Sequence, residues 1–257
     1  MEQDNATLSP IELLRMRHSV RAFTEQAIPA PMLNKLKAEV TMTNTHQHGL
    51  KFRIVTDDPE PMKSFSRSYG SFTNPRNYLA AVVDTAVENV YERAGYYAEK
   101  FVIEAVKLGL GTCFVGGTYN EDKVKAPLRA GEKVLFIVVF GFPLGKEKFL
   151  ARMTEKLAHR KTMTAADFFE PSADAAQAMT MFPDMKLGLE GIACAPSSLN
   201  KRPVRVTLRG EGENAVPCAK VDVENPTNLV DLGIAKFNYN FATATECEWG
   251  NGASLIS

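Results

Sequence analysis

Three short stretches of this 257-residue chain carry side chains able to act on a small ligand. In "RHSVR", Arg17, Ser19 and Arg21 stand at what reads as a helix end. Two guanidinium forks and a hydroxyl there can meet one anion, and arginine is the side chain best suited to planar bidentate phosphate binding. Taken alone, a basic turn of this size is more often a solvated surface. In "GLGTCFVGG" (109–117), close-set glycines follow a helix, where backbone can approach a flat ligand and present amide N–H groups with no side chain in the way. A helix cap and turn accounts for Gly109 or Gly111 but leaves the adjacent Gly116 and Gly117 unexplained. "APSSLN" (195–200) supplies a rigid proline, two hydroxyls and an amide, a set able to hydrogen-bond the edge of a heteroaromatic ring. A helix stop followed by a turn explains the same residues.

Other chemistries find little support. The glycines of 109–117 do not make a dinucleotide fingerprint, which opens a helix after a strand, whereas here they close one. His46 and His48 lack a carboxylate or thiol at metal-ligand spacing and read as part of a polar loop. No G-x-S-x-G, P-loop or H-E-x-x-H is present, so hydrolysis and phosphoryl transfer lose ground.

Thirty basic residues balance thirty acidic ones, so no long-range field draws the chain to nucleic acid or to an anionic membrane. Apolar residues make up 45%, enough to bury a core, and the longest apolar run, "VLFIVVF" (134–140), is far too short to span a bilayer. With no apolar signal core at the start, a cytoplasmic location is expected. The four cysteines, Cys113, Cys194, Cys218 and Cys247, are scattered without a C-x-x-C pair and are expected to be free.

The elements that must position these residues follow from capping and periodicity. "SPIE" (9–12) starts a helix that carries Arg17 near its end. A second helix is predicted over 32–40, strands over 50–55 and 78–84, a long central helix over 87–108, and a strand covered on both faces over 134–140. The plan then recurs in worn form: an amphipathic stretch at 184–194, strands at 203–208 and 215–223, and a helix marked by Val230, Ile234, Phe237 and Phe241. Internal duplication is the simplest account, with "APSSLN" standing where "TNTHQHG" (43–49) stands in the first half. Residues 1–146 form the first half and 176–257 the second. The Phe- and Met-containing tract 147–175 is expected to wrap as it crosses between them.

Together, "RHSVRAF", "GLGTCFVGG", "FGFPLGKEKFLAR" and "APSSLNKRPVRV" resemble the FMN-dependent nitroreductase family, in its fused, duplicated branch. Ordinary members run R-x-S-x-R, then A-P-S-x-x-N-x-Q-P-W some way downstream, then G-L-G…G. Here the second motif appears only late, with Arg202 and Val204 where the Gln and Trp would be. Family members are interlocked dimers in which one subunit brings the basic motif and the glycines and the other brings P-S-S-x-N. The first half of this chain keeps only the former set and the second half only the latter. The resemblance therefore implies an α+β nitroreductase-like fold of two tandem diverged halves, each a mainly antiparallel sheet packed with helices, forming an intramolecular pseudo-dimer.

Carried over residue by residue, the resemblance puts Arg17, His18, Ser19 and Arg21 around the FMN phosphate and ribityl chain, with Arg152 as a further phosphate partner unless Lys146 or Lys148 serves. Pro196, Ser197, Ser198 and Asn200 would line the ring, and the Gly116–Gly117 backbone would pass near flavin N5. It implies a ping-pong NAD(P)H oxidoreductase in which NADH or NADPH and then a nitroaromatic, quinone or similar small acceptor use one place, with no side-chain acid or base. An FMN carrier or sensor with little turnover is the alternative. A monomer or weak homodimer, with no nucleic acid, membrane or metal partner, is expected.

Overall fold

Ser9 opens the first helix as its sequence dictates: its hydroxyl meets Glu12 Oε2 at 2.6 Å and its N–H donates to the same oxygen at 2.8 Å, a reciprocal cap. That hydrogen bond holds the Glu12 carboxyl below its usual pKa. Helix α1, Pro10–Met16, follows with Pro10 at its first position. The computed structural model describes residues 8–63, 72–145, 167–170, 175–182, 184–210 and 215–257. These fall into two units that interleave along the chain. The first holds residues 16–63, 72–90 and 100–145; the second holds 8–15, 91–99 and the described residues from 167 onward.

The first unit is built on an antiparallel sheet in the order β1-β2-β4-β3, with β1 Leu50–Val55, β2 Asn77–Asp84, β3 Gly111–Val115 and β4 Glu132–Gly141. Alternation along β2 and β4 sends Tyr78, Ala80, Val82, Ile137 and Val139 into one apolar cluster with Val20, Phe23 and Tyr119. On the other face Phe140 meets Phe101 edge-on, the ring centroids 5.4 Å apart. Both faces of β2 are therefore covered, which is why its run "YLAAVV" is apolar without interruption. Helix α2, Ala30–His46, packs beside β1, and α3, Val90–Lys107, supplies its last two turns to this unit.

The second unit is organised around one buried helix. Its elements are α4 Ala175–Met181, α5 Met185–Cys194, β5 Arg205–Arg209, β6 Val216–Lys220 and α6 Thr227–Thr243. Helix α6 buries every residue from Val230 to Asn240. Glycines set its contacts: a Cβ on Gly233 would stand 1.8 Å from the Glu92 carbonyl of α3, one on Gly95 2.1 Å from the Val230 carbonyl, and one on Gly191 of α5 2.5 Å from the Asn238 carbonyl. At the first crossing, Lys236 (0% exposed) and Glu92 (1%) pair at 2.5 Å. Lys236 Nζ also donates to the carbonyls of Glu248 and Gly250, both at 2.9 Å. The β5–β6 hairpin gains a neighbour on each side: Phe169 bridges Val206 and Ser254 bridges Cys218.

Three expectations change. The polar stretch 43–49, read as a loop, is helical through His46, because α2 is a surface helix whose exposed side accepts Thr, Asn and His. Segment 109–117, read as a glycine-rich turn, contains β3. The helix does end at Gly109, at φ +73°, but the chain enters the sheet two residues later. Helix α1 stops at Met16, leaving Arg17 just beyond it. Arg152, Lys146 and Lys148, and most of the 147–175 tract, lie outside the described residues.

Candidate functional site

Arg17, Ser19 and Arg21 reach one place because the backbone that carries them is extended. Past α1, Ser19 forms a parallel bridge with Thr112, and the Val20 N–H donates to the Thr112 carbonyl at 2.8 Å. Side chains alternate on such a segment, so positions 17, 19 and 21 share one side, with 18 and 20 on the other. Val20 lies against Gly111, where an added Cβ would meet its side chain at 2.7 Å; the glycine is what lets this segment lie along β3. Arg17 is 6% exposed, whereas Ser19 and Arg21 are open to solvent. All three act on the thiol of Cys113: burial pushes its pKa up, and the Arg21 charge, a Ser19 hydrogen bond and the Arg17 charge pull it back. His18, on the alternate side, has Nδ1 3.2 Å from the Met16 carbonyl and lines a small apolar cavity with Val106 and Leu110.

Strand β3 runs from this cationic edge to Gly116 and Gly117. From Thr112 to Gly116 is about 13 Å at the rise of a strand. A Cβ at either glycine would meet nothing within 4 Å, and neither has a positive φ. Neither packing nor backbone conformation therefore requires glycine at these positions. The strand ends in bare backbone open to an approaching surface.

In the second unit, the segment after α5 turns sharply. Ser197 is extended, and its hydroxyl accepts the Arg202 N–H at 2.8 Å. The Asn200 N–H donates to the Ser197 carbonyl at 3.0 Å. Leu199, Asn200 and Arg202 all have positive φ, +51°, +56° and +49°. Asparagine tolerates that region, but a leucine and an arginine there cost of order 1 kcal/mol or more each. Leu199 is 84% exposed, so its own packing does not offset this cost. Asp231 of α6 ties the turn to that helix: its Oδ1 and Oδ2 both lie 3.1 Å from the Ser198 nitrogen. The Ser198 hydroxyl and the Asn200 side chain stay outside the loop's own hydrogen bonds.

Asp231 is a residue the motifs did not point to. It is 4% exposed, and burial raises its pKa to about 6 against the opposing Ser198 N–H and Lys201 charge. Its signal in the sequence was an acidic residue inside the otherwise apolar run "LVDLGIA". Cys113 was likewise seen only as a free thiol; all four cysteines are free, with Cys113, Cys194 and Cys218 buried.

In this α+β frame the R-x-S-x-R segment lies along β3, the strand at one edge of the antiparallel sheet. The family model "Putative TM nitroreductase" matches residues 10–243, and the chain belongs to that family. Among solved structures, a "putative nitroreductase" from Thermotoga maritima MSB8 matches with a TM-score of 0.59 at 20% identity, over 91% of this chain and 83% of its own. An FMN-dependent nitroreductase from Clostridium difficile R20291 matches at 20% identity and TM-score 0.43, over 52% of this chain and 87% of its own. A nitroreductase family protein from Clostridium novyi NT matches at 21% and 0.44, over 55% and 88%. No curated protein matches the sequence. Among the described residues, no helix is long and apolar enough to cross a membrane.

Proposed function

We propose that this chain is an FMN-dependent NAD(P)H oxidoreductase of nitroreductase type that binds one FMN per chain. The supporting observation is the single edge on which Arg17, Ser19 and Arg21 share one side and which ends in the unobstructed Gly116–Gly117 backbone. Those residues fit a ligand with a phosphate at one end and a flat ring at the other. Arg17 and Arg21 would hold the phosphate as bidentate donors, with Ser19 adding a hydroxyl. The backbone N–H groups of Gly116 and Gly117 would stand close to the ring and favour negative charge on it. Pro196, Ser197, Ser198 and Asn200 would supply ring contacts from the second unit, completing an intramolecular pseudo-dimer after gene duplication. FMN, when bound, supplies two-electron chemistry between a nicotinamide and a nitroaromatic, quinone or similar acceptor. The residues of this chain then have to orient and shield, not to transfer protons. A reducing, cytoplasmic setting and a monomer or weak homodimer belong to the same reading.

The test is an absorbance spectrum of the purified protein with a flavin-to-chain ratio. About one FMN per chain is expected, lost in the double variant Arg17→Ala, Arg21→Ala and weakened in Asn200→Ala; colourless protein that takes up no FMN overturns the reading. Steady-state kinetics should give parallel double-reciprocal lines. One observation favours an FMN carrier or sensor instead: Arg202 replaces the family's glutamine and is tied by its N–H to Ser197. Anaerobic mixing with NADH and NADPH separates the two, since a carrier keeps its visible flavin colour and the enzyme loses it within a turnover.

A further inference from the structure

We infer that Asp231 is a positioning residue for flavin binding: its buried carboxylate, by holding the Ser198 N–H, fixes the turn from which Ser197, Ser198 and Asn200 reach the ring. The inference rests on the FMN reading. Its grounds are the geometry of the turn and the cost of the group that holds it. Leu199 and Arg202 adopt left-handed backbone that their side chains disfavour, and the turn's own hydrogen bonds involve Ser197 and Ser198 and do not reach α6. The contact that ties it to the rigid helix is the pair of 3.1 Å approaches from the Asp231 oxygens to the Ser198 nitrogen.

Nothing in the packing of α6 asks for a charge at this position. Its neighbours Val230, Leu232, Ile234 and Ala235 are buried and apolar, and a buried carboxylate with one donor is an expensive group. Of the described residues lining the small cavity beside it, Arg202 from the turn is the other charged one, while Ile192 of α5 and Phe168 are apolar. Lys201 is the cation whose charge favours the ionised form. A residue that costs stability and whose hydrogen bonds go to the turn is placed to shape the turn.

This separates positioning from mere support, because the two roles predict opposite signs. Asp231→Asn keeps a carbonyl acceptor but loses the charge. The burial penalty disappears, so the apoprotein should melt at the same or a higher temperature at neutral pH. The hydrogen bond to Ser198 weakens from charged to neutral, so the FMN Kd, read by quenching of flavin fluorescence, should rise roughly five- to tenfold. Asp231→Ala should raise it further. Because the FMN phosphate itself titrates in this range, the pH dependence is measured with riboflavin as well. Wild type should lose riboflavin affinity as Asp231 becomes neutral on acidification, and Asp231→Asn should not. In the apoprotein, the Ser198 amide proton shift should follow the same titration in wild type and be flat in Asp231→Asn.

An unchanged Kd in both variants, or a Kd that rises only with a fall in melting temperature, overturns the assignment. Failure of wild type to bind FMN at all overturns the functional reading instead. Normal wild-type binding with unaffected variants removes only the role given to Asp231.

Discussion

Lys236 uses all its donors inside the protein, one on Glu92 and two on the carbonyls of Glu248 and Gly250, so its charge is fully paired where water does not reach. Removing one partner strands the other. Glu92→Gln or Lys236→Met is expected to cost about 3–5 kcal/mol in denaturant unfolding, far more than any exposed pair such as Arg15 with Glu190. Asp231 acts on stability with the other sign. Its folded pKa of about 6 lies above the ordinary carboxyl value of 3.8, so between those values the folded state binds the extra proton. The penalty, about 3 kcal/mol, is fully present above the folded pKa and fades as pH falls through it, so acidification from neutral should stabilise this group's contribution. A melting series in wild type and Asp231→Asn would show the curves converging at low pH. Among the thiols, Cys247 is the partly exposed one, and burial pushes it up to about 11. Native protein should therefore react slowly with iodoacetamide at neutral pH, with four thiols per chain appearing on unfolding. At this scale the sequence was informative where residues repeat a motif and silent where one charge is buried. Arg17, Ser19 and Arg21 were visible as a set, whereas Asp231 and Lys236 in "NLVDLGIAKFN" carry no pattern that says which partner each will find.

Helix α6 is held at distances that only glycine permits. Gly233 would place a methyl 1.8 Å from the Glu92 carbonyl oxygen, and Gly95 one 2.1 Å from that of Val230, both backbone atoms that cannot rotate away. Gly233→Ala should destabilise by ~3 kcal/mol, at the upper end of ordinary overpacking, whereas Gly116→Ala should leave the melting temperature within the range of a surface change. If Gly116→Ala also leaves the FMN Kd unaltered, the ring is not close to that backbone. These elements were readable where periodicity is long, as in α3 and α6, and where an apolar run marks a doubly covered strand, as in β4. Strand β3 was not, because its first residue is glycine for a tertiary reason, the docking of Val20, that a local pattern does not contain. The end of α2 was missed for the converse reason: a solvent-facing helix needs no apolar residue in its last turn.

On the scale of the whole chain, the two units share one continuous helix. Residues 91–99 of α3 belong with α6 in the second unit, while Val90 and residues 100–107 belong with the sheet in the first. A fragment ending at residue 146 would keep α3 but lose Gly233 and Lys236, leaving Glu92 without its cation. Such a fragment is expected to be unfolded or aggregated when expressed alone, with a broad, non-cooperative melt, and to recover structure when co-expressed with the remainder. The family match across residues 10–243 takes in residues of both units. The sequence suggested two successive halves from a recurring order of elements. It did not show that the central helix is divided between units, since helical periodicity is the same whichever neighbour buries each turn.

The bare strand end at Gly116 and Gly117 has a consequence for how such a protein can change over generations. Replacements there meet open space and leave the core undisturbed, so a lineage can vary them without risking misfolding. The crossing at Gly95 and Gly233 admits almost no alternative. Tolerance to substitution therefore differs sharply between these two places, wide at Gly116 and Gly117 and narrow at Gly95 and Gly233.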